Sequence, residues 1–156
     1  MVRSKRDAGG GRRSVGGRVA AAVAAAALFL PVAGALAGER QEGRSVSDGV
    51  YSAEQAGRGR REYIQHCATC HSTNLRGGEM APGLVGDTFL GGWSGQTLWS
   101  LFDFSLATMP QDNPGSTSPE AMNAILAYML RENDFPAGSE PLALDPAADG
   151  DPITID

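Results

Sequence analysis

The 156-residue chain has few residues that bind metals or form cross-links: two cysteines, Cys67 and Cys70, and two histidines, His66 and His71. A structural zinc site would need further ligands, and a second C-x-x-C pair is absent. The cysteines still allow a disulfide or a redox-active thiol pair. A thiol oxidoreductase would also need a βαβ setting, and no strand pattern extends beyond a few residues.

Lysine is absent after Lys5, and six basic residues precede position 20. The apolar run Val19–Leu30 follows, and Ala35-Leu36-Ala37 fits the small-x-small pattern of signal-peptidase cleavage. We therefore predict that residues 1–37 are a signal peptide and that the mature protein is periplasmic. An uncleaved membrane anchor is the alternative.

The chain beyond Ala37 contains seven arginines and seventeen acidic residues, which gives it a net charge of -10. This charge argues against binding to nucleic acid or to anionic membranes. It favours partners with basic docking surfaces, although solubility alone would also account for it.

The lack of strand patterns and of internal repeats predicts an all-α fold with few helices and long loops. Residues 38–50 are predicted to be a flexible lead, residues 51–138 the folded domain and residues 139–156 an acidic, disordered tail. A chain of this length with such loops builds a small apolar core, so a cofactor at its centre would also solve a packing problem.

Capping patterns predict where two helices begin. Ser52 and Gln55 fit a capping box for a helix that ends near His66. Ser118 fits an N-cap with Pro119 at the first helical position. Residues 96–108 have helical character, whereas the glycine-rich residues 72–95 exclude long regular elements.

Residues 67–71, Cys67-Ala68-Thr69-Cys70-His71, match the C-x-x-C-H pattern of covalent c-type haem attachment. Two thiols three positions apart can form thioethers with the vinyl groups on one side of a porphyrin. The histidine that follows can then ligate the iron. The disulfide and thiol-redox alternatives do not require this histidine, so we predict one covalent haem c, with iron bound to His71.

The iron's other axial ligand must come from a small set of residues: Met80, Met109, Met122, Met129 and His66. Met80 is too close to His71 in the chain, and His66 abuts the attachment motif. The two methionines of the last helix fit ordinary core packing. Met109 lies directly before Pro110 in the turn after a helix, and we predict it as the ligand.

With these motifs, residues 51–138 resemble a class I c-type cytochrome. In that family the N-terminal helix crosses the C-terminal helix, and Gly59, Tyr63 and Tyr128 match the contact positions. The resemblance implies that the Pro82 carbonyl accepts a hydrogen bond from Nδ1 of the ligating histidine. It also implies that the Trp93 ring nitrogen approaches a haem propionate, with packing against the porphyrin as the alternative.

The resemblance implies an electron carrier and not an enzyme. Gly77-Gly78, Phe89, Trp93 and Phe135-Pro136-Ala137-Gly138 are similar to haem domains found with quinoprotein alcohol dehydrogenases. The expected partners are a dehydrogenase as electron donor and a cytochrome or oxidase as acceptor. The alternative function is a haem protein with an open or labile distal site that acts on peroxide or a gas ligand.

Overall fold

The computed structural model describes residues 43–148 and 152–156. Its regular elements are helical: a 3₁₀ turn at Val46–Asp48, then α1 (Ala53–His66), α2 (Ala68–His71), α3 (Gly86–Trp93), α4 (Leu98–Thr108) and α5 (Pro119–Glu132). Within this part of the chain, β pairing is limited to isolated bridges. The predicted all-α, cytochrome c-like fold is confirmed.

Side-chain caps start α1 and α5 at the predicted residues. Ser52 Oγ accepts a hydrogen bond from the backbone N–H of Gln55 at 3.2 Å. Ser118 Oγ accepts one from the backbone N–H of Ala121 at 3.2 Å, and Pro119 occupies the first helical position. Each cap satisfies a backbone donor that has no partner inside its helix.

Helices α1 and α5 cross at a glycine, as the family resemblance implied. A Cβ atom on Gly59 would stand 1.7 Å from the backbone oxygen of Ala124, so only glycine allows this approach. One turn further along, the rings of Tyr63 and Tyr128 lie 5.4 Å apart with an interplanar angle of 55°. The crossing therefore fixes both the separation and the rotation of the two helices.

The chain beyond α5 packs on this helix pair, which corrects the prediction of a disordered tail for residues 139–148 and 152–156. The Gln55 amide donates to the Leu142 carbonyl and accepts from the Leu142 N–H, both at 2.7 Å. The Asn123 amide makes the same two bonds with Leu144, both at 2.9 Å. The predicted capping box is therefore only half formed, because the Gln55 side chain bonds to Leu142.

The predicted flexible lead is also ordered where the structure describes it, from residue 43 onward. Val46 and Val50 are buried in the core together with Ile153 and Ile155. The backbone N–H of Val46 donates to the Thr154 carbonyl at 2.9 Å. The physical reason is that the few apolar residues at both ends of the domain cover each other.

The predicted signal peptide, residues 1–37, lies outside the described residues. Across residues 43–148 and 152–156, no helix has the length and apolar character needed to cross a membrane.

Candidate haem-binding site

The attachment motif occupies a single turn of helix directly after α1. Cys67 caps the end of α1 and the start of α2. Its carbonyl accepts hydrogen bonds from the backbone N–H groups of Cys70, at 3.2 Å, and His71, at 3.0 Å. Both cysteines are free thiols, Cys67 half-buried and Cys70 exposed. This turn places two thiols and an imidazole on one short element.

The environment of Cys67 disfavours a thiol-redox role. Burial, with a smaller contribution from Cys70, raises the pKa of the Cys67 thiol to about 11. Redox-active cysteines instead have lowered pKa values, because the thiolate is the reacting species.

His71 is held in one tautomer by the loop that follows it. The residue is 9% exposed, and Nδ1 lies 2.9 Å from the Pro82 carbonyl oxygen. A carbonyl oxygen only accepts, so Nδ1 carries the proton and Nε2 keeps its lone pair. Nε2 has no hydrogen-bond partner among residues 43–148 and 152–156. It is therefore available to a metal.

The loop between His71 and Pro82 is fixed by its own hydrogen bonds. The backbone N–H of Gly77 donates to the His71 carbonyl at 3.0 Å, and Ser72 Oγ donates to the Gly77 carbonyl at 2.7 Å. Gly77 has φ of 71°, and a Cβ atom there would stand 2.5 Å from the Pro82 carbonyl carbon. Glycine is thus required for the loop to fold back and place the Pro82 carbonyl beside the imidazole.

Tyr63 connects this loop to the helix crossing. Its hydroxyl donates to the Ser72 carbonyl at 2.6 Å, and burial raises the pKa of the phenol. The ring of the same residue packs against Tyr128 of α5. The orientation of His71 and the packing of α1 on α5 therefore depend on one side chain.

Met109 comes from a later part of the chain, at the end of α4. It is the C-cap of that helix, and its backbone N–H donates to the Ser105 carbonyl at 3.0 Å. The next residues turn sharply, with the Asn113 N–H bonded to the Pro110 carbonyl at 3.0 Å.

All six predicted site residues line one cavity of about 310 Å³: Cys67, Cys70, His71, Pro82, Trp93 and Met109. The other candidate ligands, His66, Met80, Met122 and Met129, line it as well. Met122 and Met129 are buried in α5, as core packing predicted, whereas Met80 is 73% exposed.

Apolar side chains that the sequence reasoning did not assign to the site complete the wall: Leu84, Leu101, Phe104 and Ile125. The helical spacing of the apolar residues in α4 and α5 is the signal that would have indicated them. No lysine, arginine or carboxylate of the described residues lines the cavity.

Residues 54–129 match the family model described as cytochrome C oxidase, cbb3-type, subunit III. This match supports a c-type cytochrome domain over these residues. The match includes the attachment motif, Pro82 and Met109 and ends inside α5. No curated protein and no solved structure matches the chain.

A c-type cytochrome domain carries haem c, covalently bound and with iron, and it transfers electrons between redox proteins. The donor set of this chain fits that group. It offers two free thiols on one helical turn, an imidazole with a free Nε2 and methionine sulfurs at an apolar cavity.

Proposed function

We propose that this protein is a periplasmic, single-haem c-type cytochrome that carries single electrons from a dehydrogenase to a downstream carrier or oxidase. One observation carries the proposal. His71, with Nδ1 bonded to the Pro82 carbonyl and Nε2 free, faces the same apolar cavity as Met109, beside two free thiols.

In this proposal each residue has a separate role. Cys67 and Cys70 would form the thioether links, His71 Nε2 and Met109 Sδ would bind the iron, and Pro82 fixes the His71 tautomer. Bound there, haem iron supplies reversible one-electron Fe(III)/Fe(II) chemistry. The histidine–methionine pair and the apolar walls favour the reduced state and so raise the potential. Trp93, which is half-buried at the cavity, would contact the haem, either at a propionate or by packing against the porphyrin.

For the direct test, the protein is expressed together with the machinery for haem attachment. Its mass and visible spectrum are then measured after denaturation. The wild-type polypeptide should keep the mass of one haem and the spectrum of an attached porphyrin. Cys67→Ala with Cys70→Ala should lose both, whereas Thr69→Ala, at a variable position of the same motif, should retain them. If the double variant keeps the haem mass after denaturation, Cys67 and Cys70 are not the attachment site.

Export and cleavage after Ala37 are part of the proposal, supported by the basic N-terminus and the small-x-small pattern. The protein purified from its native compartment should then begin at Gly38. An N-terminal sequence that begins at Met1 would instead favour the membrane anchor.

The acidic chain and the similarity to haem domains of quinoprotein alcohol dehydrogenases support such a dehydrogenase, with a basic docking surface, as the donor. The matched family's description supports a terminal oxidase as the acceptor. Isolation of the protein under mild conditions should recover one of these partners if it is a permanent subunit and neither if it is a free carrier.

The alternative function requires an open distal site for peroxide or a gas ligand. Carbon monoxide binding to the reduced native protein separates the two functions, because a methionine-ligated iron leaves no free position. We expect no binding without denaturation.

A further inference from the structure

The residue that follows His71 has a backbone conformation that only glycine adopts readily. Ser72 has φ of 65° and ψ of 154°. A side chain is disfavoured there, so residues in this region persist only where their surroundings hold them, and they are concentrated at ligand-binding and active sites. Leu75, in the same loop, also has a positive φ, of 61°. The backbone beside the proposed iron ligand is therefore held in an unfavourable conformation.

Two hydroxyl groups hold Ser72 in this conformation. The Tyr63 hydroxyl donates to the Ser72 carbonyl at 2.6 Å, and the backbone N–H of Leu75 donates to the same oxygen at 3.2 Å. The Ser72 hydroxyl donates in turn to the Gly77 carbonyl at 2.7 Å. We call the Tyr63 and Ser72 hydroxyls the hydroxyl pair. Each of them belongs to a side chain and can be removed by a single substitution.

The loop continues from the hydroxyl pair to the Pro82 carbonyl. The backbone N–H of Gly78 donates to the Ala81 carbonyl at 2.9 Å, which closes a turn directly before Pro82. The Pro82 carbonyl oxygen lies 2.9 Å from Nδ1 of His71. The two ends of the loop are thus joined by this hydrogen bond and by the bonds of the hydroxyl pair. A shift of Ser72 would therefore move His71 relative to Pro82.

The hydrogen bond at Nδ1 controls how strongly His71 would donate to iron. A carbonyl that accepts from Nδ1 makes the imidazole more basic at Nε2. A more basic ligand stabilises Fe(III) more than Fe(II), because the more highly charged ion attracts its lone pair more strongly. The bond to Pro82 therefore lowers the reduction potential, and hydrogen bonding around an axial ligand is one of the ways in which a protein sets this potential.

We propose that Tyr63 and Ser72 are positioning residues: their hydroxyls hold the unfavourable backbone after His71, maintain its bond to Pro82 and so lower the reduction potential of the haem. The proposal rests on the proposed electron-carrying function. It adds two residues that set the potential, although neither of them lines the cavity.

Tyr51 provides a matched control. It is buried like Tyr63, 1% against 0% exposed, and its hydroxyl also donates to a backbone carbonyl, that of Phe135, at 2.7 Å. Phe135 lies after α5, outside the loop of residues 72–82 and outside the cavity wall. Tyr51→Phe and Tyr63→Phe therefore remove equivalent hydrogen bonds, and only the second bond belongs to that loop.

The first measurement is the exchange of the His71 Nδ1 proton with deuterated water, followed by NMR in the isotope-labelled, reduced holoprotein. In Tyr63→Phe and in Ser72→Ala this proton should exchange about three- to tenfold faster than in wild type, since the loss of one hydrogen bond favours local opening of the loop. In Tyr51→Phe its exchange should stay within about twofold of wild type, because the opening of a different segment does not release it.

The second measurement is the reduction potential, by potentiometric titration. Tyr63→Phe and Ser72→Ala should each shift the equilibrium constant for reduction about twofold or more towards Fe(II), which raises the potential by roughly 18 mV or more at about 59 mV per tenfold change. Tyr51→Phe should keep the wild-type potential. Chemical denaturation should show similar losses of stability in Tyr51→Phe and Tyr63→Phe, so a difference in potential cannot come from stability alone.

Equal acceleration of exchange in Tyr51→Phe and Tyr63→Phe would show that the proton is released by a general loss of stability, and it would overturn the proposal. An unchanged or lowered potential in Tyr63→Phe would do the same, and so would an effect in only one of Tyr63→Phe and Ser72→Ala. A wild-type holoprotein without a reversible one-electron titration would instead contradict the electron-carrying function. The exchange measurement would still decide the role of the hydroxyl pair in that case.

Discussion

At the scale of single residues, His71 and Met109 reach one cavity from distant parts of the chain. Each is positioned by a backbone feature: His71 by the Pro82 carbonyl, and Met109 by the end of α4. The C-x-x-C-H spacing predicted His71, and the position directly before Pro110 in the turn after a helix predicted Met109. Both line the cavity, and their roles as iron ligands stay predictions. The Nδ1 hydrogen bond was implied only by the family resemblance, because a backbone carbonyl carries no residue-specific signal.

Replacement of Met109 tests the proposed axial ligand. Met109→Ala should give a reduced holoprotein that binds carbon monoxide. It should also lower the reduction potential, because the methionine sulfur stabilises the reduced iron more than the oxidised iron and the variant loses that preference. The measurements are a carbon monoxide titration by absorbance and a potentiometric titration.

Met122→Leu is the matched control, since Met122 lines the same cavity but lies in the buried face of α5. It should keep the wild-type spectrum and bind no carbon monoxide. If the two variants exchange these behaviours, Met122 and not Met109 is the ligand.

At the scale of the helices, the crossing of α1 and α5 depends on the absence of a side chain at Gly59. In Gly59→Ala the new methyl group would collide with the Ala124 backbone, so we expect destabilisation of about 3 kcal/mol or more in chemical denaturation of the holoprotein.

Gly57→Ala is the control in the same helix, because nothing lies within 4 Å of a Cβ atom at that position. It should stabilise the protein by about 0.5–1 kcal/mol through reduced backbone entropy of the unfolded chain. Equal effects of the two substitutions would mean that the helices do not approach at Gly59.

The segment that follows α5 is attached by side-chain amides that replace a strand partner. Asn123→Ala would leave the N–H and carbonyl of buried Leu144 without partners, so we expect a loss of about 2–4 kcal/mol. Hydrogen exchange at the Leu144 amide should accelerate as well.

Gln96→Ala serves as the comparison, because its exposed amide donates to the Gly92 carbonyl at 2.6 Å. Its effect should stay within about 0.5 kcal/mol. A similarly small effect of Asn123→Ala would indicate that the segment does not contribute to stability.

Local patterns predicted α1, α4 and α5 because caps and helical apolar spacing act over a few residues. The single turn of α2 and the eight-residue α3 were not predicted as separate helices. The lead was misjudged because it is polar, contains glycines and shows no apolar period. The tail was misjudged because acidic residues dominate its composition. Leu142 and Leu144, like Ile153 and Ile155, alternate along the chain, and their burial depends on partners far away in sequence.

At the scale of the whole molecule, the two ends of the described chain are joined by a carboxylate. Ser47 Oγ donates to Asp156 at 2.7 Å, and Ser45 Oγ donates to its other carboxylate oxygen. These two hydrogen bonds lower the pKa of the Asp156 carboxyl below its ordinary value of 3.8, and the bond from Ser45 makes the largest contribution.

A carboxyl group with a lowered pKa in the folded state stabilises the protein above its unfolded-state pKa. The contribution is lost as the pH falls through the folded-state pKa, here below 3.8. Asp156→Asn should therefore lower the free energy of unfolding by less than about 1 kcal/mol near neutral pH, because the carboxyl group is exposed. This loss of stability should become progressively smaller below pH 3.8.

A double-mutant cycle with Ser47→Ala isolates this contact from other carboxylates that titrate in acid. The coupling free energy from urea denaturation should decline as the pH is lowered below 3.8. A coupling that is constant with pH, or that grows in acid, would contradict the assigned hydrogen bonds.

Because α1 packs on α5 at the contact between Gly59 and Ala124, a tilt of α1 about this contact would move the haem motif at the end of the helix. From Gly59 to His66 the helix extends about 10 Å, so a 5° tilt at the crossing would displace the attachment turn by roughly 1 Å. Ligand geometry tolerates about 0.5 Å. Substitutions at the crossing should therefore shift the position of His71 relative to the cavity, although they touch no residue that lines it.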